Sequence, residues 1–139
     1  MVVQYNVTAD LRTDSIGPYP FTLSHDRVTL EDAAVSFVLP EHPLLTTPNR
    51  LSAADFAGWV QERGLYFVQN VDPAYEMPIV SHDPGEPDLP GGMLYTKLGN
   101  GVWIYTSYAW FRQLPAGVPG ALRAFANLMA GGKGLTQTD

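Results

Sequence analysis

Residues 93–110 read MLYTKLGNGVWIYTSYAW, two apolar and aromatic runs joined at Gly99-Asn100-Gly101. Asn-Gly tolerates the positive φ of tight hairpin turns, so 93–98 and 102–108 are predicted to be antiparallel strands. The second run is apolar at both parities, which predicts a central strand covered on both faces. Trp103, Tyr105 and Ser107 would share one face of it, and Ile104 and Tyr108 the other.

Downstream, Pro119 suits the first turn of a helix, and Gly131-Gly132 suits its end. Leu122, Phe125, Ala126 and Met129 recur at helical spacing and are predicted to form its buried stripe. Residues 131–139 are expected to be a flexible tail.

Upstream, residues 83–92 (DPGEPDLPGG) hold three Pro and three Gly in ten positions, and predict a surface loop. Residues 65–68 read as a strand. A helix is predicted over 52–63: Ser52 is a good N-cap, Asp55 suits the first turn, and Leu51 and Phe56 have staple spacing. Phe56, Trp59, Val60 and Arg63 would share its face, and Gly64 would end it. Pro40, Pro43 and Pro48 predict extended or turn backbone through 40–49. Residues 34–39, 21–23 and 2–6 read as short strands, with turns through Asp10, Asp14 and Gly17-Pro18. The order predicts an α/β protein: one mixed, mostly parallel sheet, with a C-terminal β-hairpin and flanking helices.

Length and composition bound the rest. A chain of 139 residues with 45% hydrophobic content supports one domain, placed at 1–130. Thirteen Gly and twelve Pro imply many turns. A net charge of −6 and eight scattered basic residues argue against nucleic-acid binding. Neither a long apolar run nor a basic-then-apolar N-terminus is present, so membrane insertion and a signal peptide are not expected. Cys is absent, which excludes disulfides, thiolate metal sites and Cys nucleophiles. Compartment stays open.

The residues that could carry chemistry begin with a repeat. Ser24-His25-Asp26 and Ser81-His82-Asp83 are identical tripeptides. Three His with Asp83, Glu86 and Asp88 could in principle hold zinc, yet no H-x-x-x-H pair exists, and loop histidines with turn-capping aspartates account for the pattern. A metal-assisted hydrolase using His25, His82 and Asp83 stays open as an alternative. Ser107 lacks a G-x-S-x-G setting and reads as a small polar strand residue. The Gly-rich pieces match no phosphate-binding motif. The dense aromatics suit either core packing or stacking on sugar rings.

Longer runs add a resemblance. HPLLTTPNRLSAADFAGWVQERGLYF (42–67), NVDPAY (70–75) leading to DPGEP (83–87), and GNG (99–101) to FRQLPAGVPGA (111–121) are similar to the C-terminal region of bacterial PIG-L (LmbE-like) deacetylase-family proteins. The resemblance spans roughly residues 2–130. It implies part of a class I glutamine amidotransferase-like, flavodoxin-like domain. It also implies absences: the PIG-L zinc motif has no counterpart, and the stretch matching an amidotransferase His and Glu reads Tyr105-Thr106-Ser107-Tyr108-Ala109-Trp110. His42 follows the family pattern, whereas His25 and His82 depart from it.

The resulting expectation is a non-catalytic accessory or binding domain serving PIG-L-type sugar deacetylases, with a glycan as ligand and no cofactor. The alternatives are a structural self-assembly module and the metal-assisted hydrolase. The expected ligand contacts are Tyr75, His82, Asp83, Glu86, Asp88 and Trp110, on or near the pre-ordered loop 81–92. A strand opening at Val2 without preceding partners predicts an exposed edge, and with it a homodimer or larger homo-oligomer.

Overall fold

The computed structural model describes residues 1–4 and 16–133. The turns expected at Asp10 and Asp14, the Tyr5-Asn6 end of the first strand and residues 134–139 of the tail lie outside them. The fold is mixed α/β, built from small sheets and three helices.

The hairpin forms as predicted. Strand β6 (Met93–Leu98) pairs antiparallel with β7 (Gly101–Thr106). Leu98 faces Gly101, so the turn residues are Gly99 and Asn100, one position earlier than the Asn-Gly signal suggests. Gly99 takes the positive φ (+58°), at the first central position where two-residue turns of this kind place Gly. On its other side β7 pairs parallel with β1 (Val2–Gln4), making it the central strand. Pleating sends Met93, Tyr95 and Ile104 into one hydrophobic cluster and Leu94, Trp103 and Tyr105 into a second.

The mostly parallel sheet is not what forms. Two further two-stranded antiparallel sheets lie apart from the first: β2 (Thr22–Val28) with β4 (Gly64–Gln69), and β3 (Val35–Phe37) with β5 (Ile79–Ser81). β2 runs well beyond the predicted 21–23 and carries His25 and Asp26.

The helix predicted over 52–63 is a single 3₁₀ turn, Ala53–Phe56, which Ser52 caps as expected and which Asp55 completes as a capping box. It stops because the following backbone groups are claimed from a distance. Val60 N–H donates to Gln113 Oε1, Gln113 Nε2 donates back to Val60 O, and Arg63 N–H goes to Val28 O. Gly58 and Gln61 take positive φ on the way, and Gly64 opens β4 rather than capping a helix. Within 40–49, a one-turn helix α1 (Pro43–Thr46) appears, with Pro at its start and His42 Nδ1 accepting the Leu44 N–H.

Helix α2 (Trp110–Gln113) follows β7 directly. Helix α3 (Pro119–Ala130) ends at Gly131 in the left-handed region, as predicted, but the buried stripe is a different one. Gly120, Ala121, Ala124, Asn127 and Leu128 face the core, while Leu122 and Met129 are exposed. Small residues win this face because α3 lies tight against the 53–56 turn. Asn127 is tolerated there because its amide donates to Leu44 O and Asn49 O and accepts from Asn49 N–H.

The runs that carried the family resemblance hold one another. Besides the Gln113–Val60 pairing, Arg112 Nε meets Glu62 Oε1 at 2.7 Å and Arg123 Nε meets Asp55 Oδ1 at 2.8 Å. The segments 55–62 and 112–123 are therefore two sides of one seam.

Candidate functional site

The two Ser-His-Asp tripeptides meet at one cleft. β2 supplies His25, Asp26 and Arg27, and Thr29 follows; Asp83, Glu86, Pro87 and Leu89 come from the loop after β5. The cleft encloses about 460 Å³.

A local irregularity shapes the β2 wall. The register against β4 shifts on both sides of Asp26. Ser24 Oγ donates to Phe67 O (2.6 Å) and accepts from Asp26 N–H (3.0 Å), holding the bulge closed. His25 lies edge-on to Tyr66 at 5.5 Å, and Asp26 Oδ2 accepts from Gln69 Nε2 at 2.7 Å.

Asp83 ties the opposite wall to β2. Its carboxylate accepts from Thr29 N–H, Leu30 N–H and Thr29 Oγ1, all at about 3 Å. Burial alone would raise this carboxyl. The N–H groups of Leu30 and Thr29, the Thr29 hydroxyl and the Arg27 charge outweigh burial and hold it below its ordinary value. A depressed folded value keeps the tie intact at neutral pH and releases it only as the pH falls through that value. The loop is ordered elsewhere too: Ser81 and Leu89 exchange backbone hydrogen bonds, Ser81 Oγ meets Tyr108 OH at 2.7 Å, and Glu86 N–H donates to Asp83 O.

The expected ligand contacts separate into groups. Asp83 and Glu86 line the cleft, and Glu86 is exposed. His82 turns aside, its Nδ1 2.9 Å from Asp83 O and its Nε2 3.7 Å from Asp88 Oδ1. Tyr75 and Trp110 are corrected outright: both are buried in the core and present no ring face to a ligand. Tyr75 exchanges hydrogen bonds with the Tyr19 backbone, and Trp110 Nε1 donates to Thr106 Oγ1. They are aromatics with a polar tip and an internal partner for it.

The chemistry available is acceptor-rich binding. Among the described residues no three of His, Asp and Glu converge to hold a metal ion, so the metal-assisted reading of His25, His82 and Asp83 has no ligand set there. Both Asp83 oxygens are already used. Ser107 is fully buried and donates to Tyr66 O at 2.6 Å, so it is a packing residue. No helix among the described residues is long and apolar enough to cross a membrane.

Sequence reading missed Asp26, Arg27 and Thr29 as cleft residues. The repeated tripeptide was the available signal, but the convergence of its copies depends on the Asp83–Thr29 contact across 54 positions. No family model, curated protein or solved structure matches this chain.

Proposed function

We propose that this chain is a non-catalytic binding domain of the PIG-L-associated, amidotransferase-like type, and that a glycan occupies the cleft between β2 and loop 81–92. On this reading the β1-β7-β6 sheet is the C-terminal part of a flavodoxin-like sheet. The sequence runs at 42–67 and 111–121 support the relationship.

The observation that carries the binding reading is the pre-ordered polar cleft. Its Asp26 and Glu86 carboxylates accept hydrogen bonds from hydroxyls, and the Asp83 clamp and three prolines fix the loop before any ligand arrives. Calorimetric titration with an N-acetylglucosamine oligosaccharide tests it. Glu86→Ala and Asp26→Ala should each weaken binding roughly tenfold, the value of one hydrogen bond to a charged group. Absence of binding heat, or affinities untouched by both substitutions, would remove the glycan from this cleft.

Self-association is the second part of the proposal. The outer edge of β1 has no strand partner among the described residues, and exposed Met1 and Met129 lie beside it with Val2, Val102 and Leu128. An open edge next to apolar surface favours pairing with a second copy. Light scattering at micromolar concentration should report a dimer or larger species; a monomer mass across that range would end this part of the reading.

A further inference from the structure

A second cleft lies at the turn end of the hairpin, where the chain leaving α3 passes beside it. It encloses about 310 Å³, and Tyr95, Lys97, Asn100, Val102 and Lys133 line it together with Pro43 and four glycines. Lys97 and Lys133 are the only lysines in the chain. Both are exposed, and neither has an ion pair or a side-chain hydrogen bond among the described residues. Arg50, Arg112 and Arg123 each meet a carboxylate, and Arg63 spends its donors on carbonyls. A chain of net charge −6 has carboxylates in excess, so two unpaired cations reflect placement and not supply. No acidic residue lines the cleft.

Tyr95 supplies a third donor. The residue is 5% exposed, and its hydroxyl has no hydrogen-bond partner among the described residues. It is still reachable, since His42 Nε2 is the one polar side-chain atom among them that is both sealed and unpartnered. Buried tyrosines ordinarily find their hydroxyl a partner inside the fold, as Tyr75 and Tyr108 do. Tyr95 leaves its own for the cleft it lines. Burial, reinforced by the Glu76 charge, pushes this phenol above its ordinary value, so it stays protonated and able to donate. Glu76 itself stands against His42 and does not line the cleft.

The frame is set before binding. Tyr95 and Lys97 project from the same face of β6, and Lys97 stands opposite Val102 of β7. The N–H groups of Gly131, Gly132 and Lys133 return to Leu128 O, Asn127 O and Ala130 O, which fixes the chain as it leaves α3. A Cβ on Gly131 or Gly132 would meet Val102 or Pro43 at 2.8 and 2.5 Å, so bare glycine lets Lys133 pass close to the hairpin. Over the turn the approach is open: a Cβ on Gly99 would meet nothing within 4 Å, and one on Gly101 only Leu98 O at 3.7 Å.

We propose that this cleft binds a small phosphate monoester. Two ammoniums and a phenol offer donors to three terminal oxygens, and the two ammoniums match a charge of about −2 at neutral pH. A planar carboxylate suits the fork of an arginine, whereas lysines act as point charges and suit a phosphate. A cationic ligand would face two like charges. The organic group of the ester lies against Val102 and Pro43, and about 310 Å³ suits a molecule of single-ring size.

The test is an NMR titration of the ¹⁵N-labelled full chain at low ionic strength with phenyl phosphate and, separately, with phenol and with inorganic phosphate. Phenyl phosphate should give saturable shifts at the amides of Lys97, Val102 and Lys133, with a Kd on the order of 1 mM. Phenol, which lacks the phosphate, should bind about tenfold more weakly, and inorganic phosphate, which lacks the ring, about threefold. Tyr95→Phe keeps the ring and loses only the hydroxyl; Lys97→Gln keeps most of the stem and loses the charge. Each should weaken phenyl phosphate about tenfold. Neither removes an internal hydrogen bond or ion pair, so both thermal midpoints should stay within about 3 °C of the native chain. No saturable shift at these amides, equal affinity for phenol or inorganic phosphate, or an affinity unchanged in either variant would overturn the proposal.

Discussion

Arg63→Met should destabilise the fold by roughly 2–4 kcal/mol, read as a fall of about 10 °C in the thermal midpoint. Arg63 is 3% exposed. Its Nε and Nη2 donate to Ala33 O at 3.1 and 2.6 Å, and Nη1 donates to Phe56 O at 2.6 Å. The guanidinium lies over the Trp59 ring at 5.1 Å and the Phe56 ring at 5.8 Å. Burial pulls its pKa below the ordinary arginine value, while Tyr108, Asp32 and Glu31 pull it back up.

Two effects oppose each other in that substitution. Methionine keeps much of the apolar stem and removes a buried charge, which by itself is favourable. It also strips donors from two carbonyls that no water reaches easily, at about 1–3 kcal/mol each. The second effect wins because the carbonyls stay buried, and Ala33 O loses both donated bonds. Lysine would not rescue the site, since one ammonium cannot reproduce the planar fork that spans Ala33 and Phe56. Arg112→Met is the matched control: the Arg112 side chain is 36% exposed, and loss of its ion pair with Glu62 should cost about 1 kcal/mol or less. A midpoint for Arg63→Met as high as that of the control would show that the buried carbonyls find other partners.

The same residue explains where sequence reading succeeded and failed. The hairpin was legible because its determinants are local: two apolar runs, a Gly-Asn-Gly turn and a period of two. The 52–63 helix was misread although its start was right, because the Ser52/Asp55 box is local and the competition for Val60 and Arg63 is not. Gln113 reaches Val60 from 53 positions away. The helical spacing placed Arg63 on one face with Phe56, Trp59 and Val60; it points inward from a loop instead and stitches two loops. In the candidate site, Asp83 and Glu86 were legible from a loop rich in prolines and acids. Tyr75 and Trp110 were not, since an aromatic that packs and an aromatic that stacks on a ligand look alike in sequence. Lys97 and Lys133 carry no pattern that links them.

Gly120→Ala should be strongly destabilising, against the usual expectation for a helix. Alanine exceeds glycine in helix propensity by about 1 kcal/mol, and Gly120 sits near the start of α3 with an ordinary negative φ. Backbone strain is therefore not the issue. Space is: a Cβ there would overlap the Asp55 backbone, its carbonyl oxygen, carbonyl carbon and Cα together. Backbone atoms cannot rotate away as a side-chain end could, so α3 would have to back off from the 53–56 turn. That movement strains the Arg123–Asp55 pair and the Asn127 amide bonds to Asn49. Overpacking of this kind costs about 1–3 kcal/mol, and the strained polar contacts add to it, so a net loss of roughly 2–4 kcal/mol survives the propensity gain. Gly101→Ala gives the contrast. The nearest atom to its added Cβ is Leu98 O at 3.7 Å, an ordinary contact, and its stability should stay within about 0.5 kcal/mol of the native chain. Denaturant midpoints of the two variants at equal slope decide the matter. If Gly120→Ala matched or exceeded the native midpoint, α3 would have room against the turn, and its small-residue face would owe nothing to close packing.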